Sequence, residues 1–129
     1  MTHETEQVLR DYFELITAGD IAGAWALYAD DVVLHVPGQH LLSGDYHGRD
    51  DVTAFNGKVR EMTNSTFRLT PHDLLGSANH AVMLADVSAE RNGTVLEWRR
   101  VSISHVSEGK ITEIWFHESD QAGVDELFS

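Results

Sequence analysis

Two histidines, His35 and His40, flank the turn-forming pair Pro37-Gly38, and further along the chain Arg100 is followed at two-residue steps by Ser102 and Ser104. An imidazole titrates near neutral pH without help, so His40 is a candidate proton carrier. In a strand from Val95 to Val106, alternation places Trp98, Arg100, Ser102 and Ser104 on one face. A guanidinium there would hold negative charge on a carboxylate or an enolate, but it is costly beside a cavity unless something pairs with it. The same alternation turns His35 away from the side shared by Leu34 and Val36. A metal set drawn from His35, His40, His105 and His117 has no supporting local spacing, such as two histidines four apart on a helix, so no metal is expected. No motif implies a cofactor. Cysteine is absent, which excludes disulfides, thiolate nucleophiles and cysteine-held metals.

The elements that must carry these groups are bounded by size and charge. A chain of 129 residues fits one domain, taken here as residues 1–129. With 42% hydrophobic residues it can bury a core. A formal charge of −12 repels a phosphate backbone, so nucleic acid is not an expected partner. No apolar run approaches the roughly 20 residues of a membrane span. The acidic start Met1-Thr2-His3-Glu4-Thr5-Glu6 shows no signal peptide, so a cytoplasmic protein with no membrane partner is expected.

Apolar residues at Val8, Leu9, Tyr12, Phe13, Leu15 and Ile16 predict a helix over Glu4–Ala18, ended by Gly19. Asp20 suits the N-cap of a second helix over Ile21–Tyr28. Val32–Val36 reads as a strand, and Gln39–Gly48 as a short hairpin or irregular loop. Arg49–Met62 returns to helix, with Val52, Phe55, Val59 and Met62 on one face and Asp50 and Asp51 in the first turn. Four strands follow over Thr66–Leu75, His80–Glu90, Val95–Val106 and Ile111–Glu118. Asn92-Gly93 is a strong signal for a tight hairpin turn, and Glu108-Gly109 a weaker one. Helices first and a meander after predict an α+β domain. Within His80–Glu90, Met83, Ala85, Val87 and Ala89 form the buried, helix-facing set. The last strand is apolar on both faces through Ile111, Ile114, Trp115 and Phe116, which predicts a homodimer through the outer sheet face.

In order and spacing, several segments resemble the ketosteroid isomerases and the SnoaL-like proteins of the nuclear transport factor 2-like superfamily. They are Tyr12 to Asp20, Trp25-Ala26-Leu27-Tyr28-Ala29-Asp30-Asp31-Val32, Pro37-Gly38, Gly48-Arg49, Ala78-Asn79, Val87-Ser88 and Gly109-Lys110-Ile111. The ending Glu113-Ile114-Trp115-Phe116 is more similar to the uncharacterised SnoaL-like branch. The resemblance covers nearly the whole chain. It implies a cone of three N-terminal helices packed on a strongly curved antiparallel sheet, with a ligand pocket at the wide end. By that resemblance Tyr12 matches the tyrosine that stabilises the isomerase enolate, a reaction whose pKa logic is well worked out. The isomerase base falls at Val36, which takes no proton, and the strand aspartate falls at Ser102 or, with a shortened hairpin, at Ser104. Steroid isomerisation by that route is therefore not expected. The implied register also turns Glu118 inward beside Arg100. The two form either a structural ion pair or a site where Arg100 holds a ligand's carboxylate or enolate and Glu118 or His40 moves a proton. The expected pocket takes Trp98, Arg100 and Phe116 from the sheet and Tyr12, Trp25 and Phe55 from the helices, with Asn56 adding a polar contact.

The fold hosts many chemistries, so it does not name a reaction. One expectation is an isomerase, cyclase or hydrolase acting by acid–base chemistry on a small apolar, carbonyl-bearing molecule. The other is a non-catalytic ligand-binding or dimerisation module of the same fold.

Overall fold

A computed structural model describes residues 3–129; Met1 and Thr2, the start of the acidic N-terminal stretch, lie outside the described residues. The chain runs α1 (Glu4–Thr17), α2 (Ile21–Trp25), β1 (Tyr28–Val36), β2 (Gly44–His47), α3 (Arg49–Met62), β3 (Arg68–Gly76), β4 (His80–Arg91), β5 (Thr94–Ser107), β6 (Lys110–Glu118) and α4 (Gln121–Leu127). Gly19 adopts φ +83 after α1, and the Asp20 side chain accepts a hydrogen bond from the Gly23 N–H at 2.9 Å to open α2. Both hairpin signals hold. Asn92-Gly93 and Glu108-Gly109 have positive φ at both positions, as a turn matching the right-handed strand twist requires.

The sheet order is β2-β1-β6-β5-β4-β3, curved and unclosed, with helices on its concave side. It is not antiparallel throughout: β1 and β6 pair in parallel, β6 returning beside β1 only after α3 and four intervening strands. The segment expected as a hairpin or loop supplies an edge strand, β2, antiparallel to β1. Strand β1 starts four residues earlier than its apolar run suggests. The N–H of Ile111 bonds the Leu27 carbonyl (2.8 Å) and the Lys110 ammonium bonds that of Ala26 (2.7 Å), which draws the chain out of helix after Trp25. Helix α4 was not expected; the Asp120 side chain opens it by accepting from the Gly123 N–H, and it buries Val124 and Leu127.

Alternation sorts the sheet into two faces. Met83, Ala85, Val87 and Ala89 are buried on the inner face against Val8, Leu9, Val52, Phe55 and Val59 of the helices. Val82, Leu84, Val101, Ile103 and Trp115 lie half-buried on the outer face. No helix of the described residues is long and apolar enough to cross a membrane.

Candidate functional site

Between the helices and the inner face lies a cavity of about 750 Å³, walled mainly by apolar side chains such as Leu9, Trp25, Leu34, Val36, Phe55 and Phe116. Five strands of the curved sheet and all four helices contribute to its lining. The polar groups that reach it come in clusters.

The first cluster is Arg100 with Glu118, cross-strand partners on β5 and β6. Arg100 Nε donates to Glu118 Oε1 at 2.8 Å and Nη2 to Oε2 at 2.9 Å, a bidentate pair with side chains only 10% and 3% exposed. The guanidinium carbon sits 4.0 Å from the Phe116 ring centre, which adds a cation–π contact. Of five guanidinium N–H groups two go to Glu118, so the remainder are open to another acceptor. Both Glu118 oxygens are engaged, and the carboxylate serves as the counter-charge.

In the second cluster the Tyr12 and Tyr28 hydroxyls lie 2.9 Å apart, and Asn56 Nδ2 donates to the Tyr28 oxygen at 3.4 Å. Burial pushes both phenols upward, Tyr12 well above the usual value with the neighbouring Tyr28 adding to the effect. At neutral pH they are O–H groups and act as hydrogen-bond donors. Tyr28 is held by Arg49, whose Nη2 and Nε donate to the Tyr28 carbonyl at 2.6 and 3.2 Å. Sequence reasoning missed Tyr28 because it was assigned to the end of a helix; the signal available was a tyrosine next to Ala29-Asp30-Asp31, where the helix pattern fails.

The third cluster is the loop carrying His40. The Leu42 N–H donates to His40 Nδ1 at 3.1 Å, so a neutral imidazole carries its proton on Nε2. Burial lowers the His40 pKa, which favours that neutral form. His40 therefore enters the cavity lining as a donor. The loop is tied to the C-terminal segment: Asp125 accepts from the Gln39 N–H (3.0 Å) and the Phe128 carbonyl from the Leu41 N–H (3.1 Å), while the His40 ring lies 5.5 Å from that of Phe128. Gly38, at φ +93, holds a backbone conformation that favours glycine, and a Cβ there would push aside the side-chain ends of Asp125 and Gln121.

Of the residues expected at the site, Tyr12, His40, Arg100, Glu118, Trp25, Val36, Phe55, Asn56, Ser102, Ser104 and Phe116 all line this cavity. Trp98 does not. It is buried on the inner face against Phe67, ring centres 6.4 Å apart, beyond the lining. Residues that line the cavity without having been anticipated include Tyr28, Phe67 and Phe128; the last arrives on a helix that the sequence reading lacked. His35 faces out as alternation predicts, between Asp45 (2.7 Å) and Glu113 (2.5 Å) and stacked on Trp115. Among the described residues no three His, Asp or Glu side chains converge to hold a metal.

Comparison with known proteins follows the same lines. Residues 9–114 match the family described as SnoaL-like domain. The chain is 29% identical over 131 residues to the uncharacterized protein Rv0034 of Mycobacterium tuberculosis, covering all of both chains. It is similar to the crystal structure of an NTF2-like protein of unknown function from Burkholderia pseudomallei K96243, with 26% identity and TM-score 0.85 over 100% of this chain and 99% of that one. It also shares the fold of TerC, co-crystallized with polyporic acid, at 18% identity and TM-score 0.81 over 98% and 99% of the two chains.

Proposed function

The chain belongs to the SnoaL-like family, and from that premise we propose that it binds a small, largely apolar organic molecule bearing a carbonyl or acidic oxygen. The cavity carries this reading: its volume falls within the range of small-molecule sites, and a few clustered polar groups interrupt apolar walls. Those groups are rich in donors and poor in bases. The Tyr12–Tyr28 pair offers the one O–H its mutual bond leaves free, His40 its Nε2–H and Arg100 its remaining N–H groups, whereas Glu118 is committed to Arg100 and Val36 stands where a base would sit. A reaction here, whether isomerisation, cyclisation or hydrolysis, would draw on stabilisation of a developing oxyanion by these donors. The absence of an unengaged base from the lining favours a second reading, a protein that holds such a molecule without changing it. TerC, of the same fold, was crystallized with an organic acid, which is in keeping with either.

Native mass spectrometry of the purified protein tests binding: a retained organic adduct is expected. No adduct, together with no thermal shift from a panel of aryl ketones and aryl carboxylic acids, sinks the reading. Chromatography of a bound compound after incubation separates the two versions, since only an enzyme returns it altered.

We also propose that a second copy of this chain covers the outer sheet face. Trp115, Ile103 and Val82 are successive cross-strand neighbours there, with Val101 and Leu84 beside them, and this apolar stripe is half-exposed in the single chain.

A further inference from the structure

Hydrogen-bond accounting around the cavity leaves two buried side chains with no partner at all. The tyrosines and Asn56 bond one another, Arg100 and Glu118 pair, and His40 Nδ1 is taken by Leu42. Ser102 and Ser104 are only 5% and 2% exposed and both line the cavity, yet neither hydroxyl has a protein partner among the described residues. Among the described residues the one sealed-off side-chain polar atom without a partner is Trp98 Nε1, so the serine oxygens open onto the cavity instead of being enclosed in the core. Their cross-strand neighbours are apolar. Ser102 lies between Met83 and Phe116 across the sheet, and Ser104 between Ala81 and Ile114. Such a hydroxyl adds no bond within the protein, and alanine would fill the same space without loss of one.

The two serines continue the line begun by Arg100. Residues two apart on one strand face repeat at about 7 Å. One edge of the cavity is thus a ruled polar strip, Arg100–Ser102–Ser104, while its flanks are hydrocarbon and aromatic.

We propose that this strip reads one edge of the ligand: an elongated, flat-faced molecule with an acidic oxygen at Arg100 and neutral hydroxyl or carbonyl oxygens spaced along the same edge toward Ser104. The proposal rests on the reading of the cavity as a binding site. Serine hydroxyls donate and accept, so they accommodate either kind of oxygen, and Arg100 retains N–H groups beyond those given to Glu118. The apolar flanks take the molecule's faces.

Two probes of the same shape test it: 2-naphthoic acid, acidic at one end only, and 6-hydroxy-2-naphthoic acid, which adds an oxygen at the other. Calorimetric titration of the parent protein is expected to show the hydroxy acid binding about tenfold more tightly, the worth of a desolvated hydroxyl bond. The double variant Ser102→Ala/Ser104→Ala should bring that ratio to about one and hold 2-naphthoic acid within about twofold of the parent. Its ligand-free melting temperature should equal or exceed the parent's. Ser102→Thr/Ser104→Thr, which keeps both hydroxyls, should retain the preference. If both acids bind the parent equally, or if the alanine variant keeps the preference, the strip is wrong and the cavity reading stands. A lower ligand-free melting temperature in the alanine variant marks the hydroxyls as structural and overturns the strip as well. If neither acid binds the parent, strip and cavity reading fall together.

Discussion

Arg99 and Arg100 are adjacent on β5, and each meets a carboxylate on a neighbouring strand. Arg99 reaches Asp86 at 3.4 Å on the outer face with side chains 79% and 61% exposed; Arg100 grips Glu118 with two bonds on the inner face and is nearly sealed. Water screens the first pair, so it contributes little; the second has lost its water, and each charge depends on the other. The histidines divide in the same way. His35, outside, is raised by its bond to Glu113 and further by Asp45; His40, inside, is lowered by burial. One sheet thus places the same residue types in two solvents.

The largest test of this contrast is Glu118→Gln. It leaves Arg100 charged, buried and short of its partner, and chemical denaturation should show a loss of about 3–5 kcal/mol. Asp86→Asn across the sheet should cost no more than about 1 kcal/mol. Equal losses would mean that the cavity wets Arg100 as thoroughly as bulk water wets Arg99.

Next in size is Trp115→Glu. If a second copy covers the outer face, sedimentation should show the parent as a dimer and this variant as a monomer with the ligand affinity of the cavity retained. A parent that sediments as a monomer leaves the stripe without the proposed partner.

The smallest expected effects are pH-dependent and opposite in sign. His35 has a folded pKa above its unfolded value near 6.5, so its contribution is complete below about pH 6.5 and disappears as pH rises through the folded value. The stability gap between parent and His35→Gln should therefore be widest near pH 5.5 and close toward pH 9. His40 has a folded pKa below 6.5, so it penalises the fold as pH falls from about 6.5 through the folded value. His40→Gln should remove that penalty, gaining on the parent as pH drops. Unfolding curves across this range that move in parallel for the two variants would erase the distinction between the faces.

Much of this architecture could be read from the residues. Helix α3 has the bounds that Val52, Phe55, Val59 and Met62 imply, and the two hairpins turn where Asn92-Gly93 and Glu108-Gly109 place them. These are local signals, carried by period and by backbone sterics. Helix α4 is legible in hindsight: Asp120 and Gly123 repeat the spacing of Asp20 and Gly23, and in both the aspartate caps the glycine N–H. At seven residues the helix is too short for its periodic signal to stand alone. Trp98 went to the wrong place because strand alternation gives a face and says nothing of how far along that face a cavity extends.

The sequence by itself determined the α+β order, the family, the inner faces of β4 and β5 and the loss of the isomerase acids at Val36 and at Ser102 or Ser104. Those follow from neighbours along the chain, where spacing and residue type carry the information. Only the tertiary structure decided that Tyr28 is a strand residue joined to Tyr12, that Arg100 and Glu118 pair through two bonds, that His40 is a donor, and that two serine hydroxyls face the cavity unmatched. The two pairs depend on which segments, 16 and 18 residues apart, the curved sheet brings within hydrogen-bond reach, and the other two on how the chain closes around the cavity.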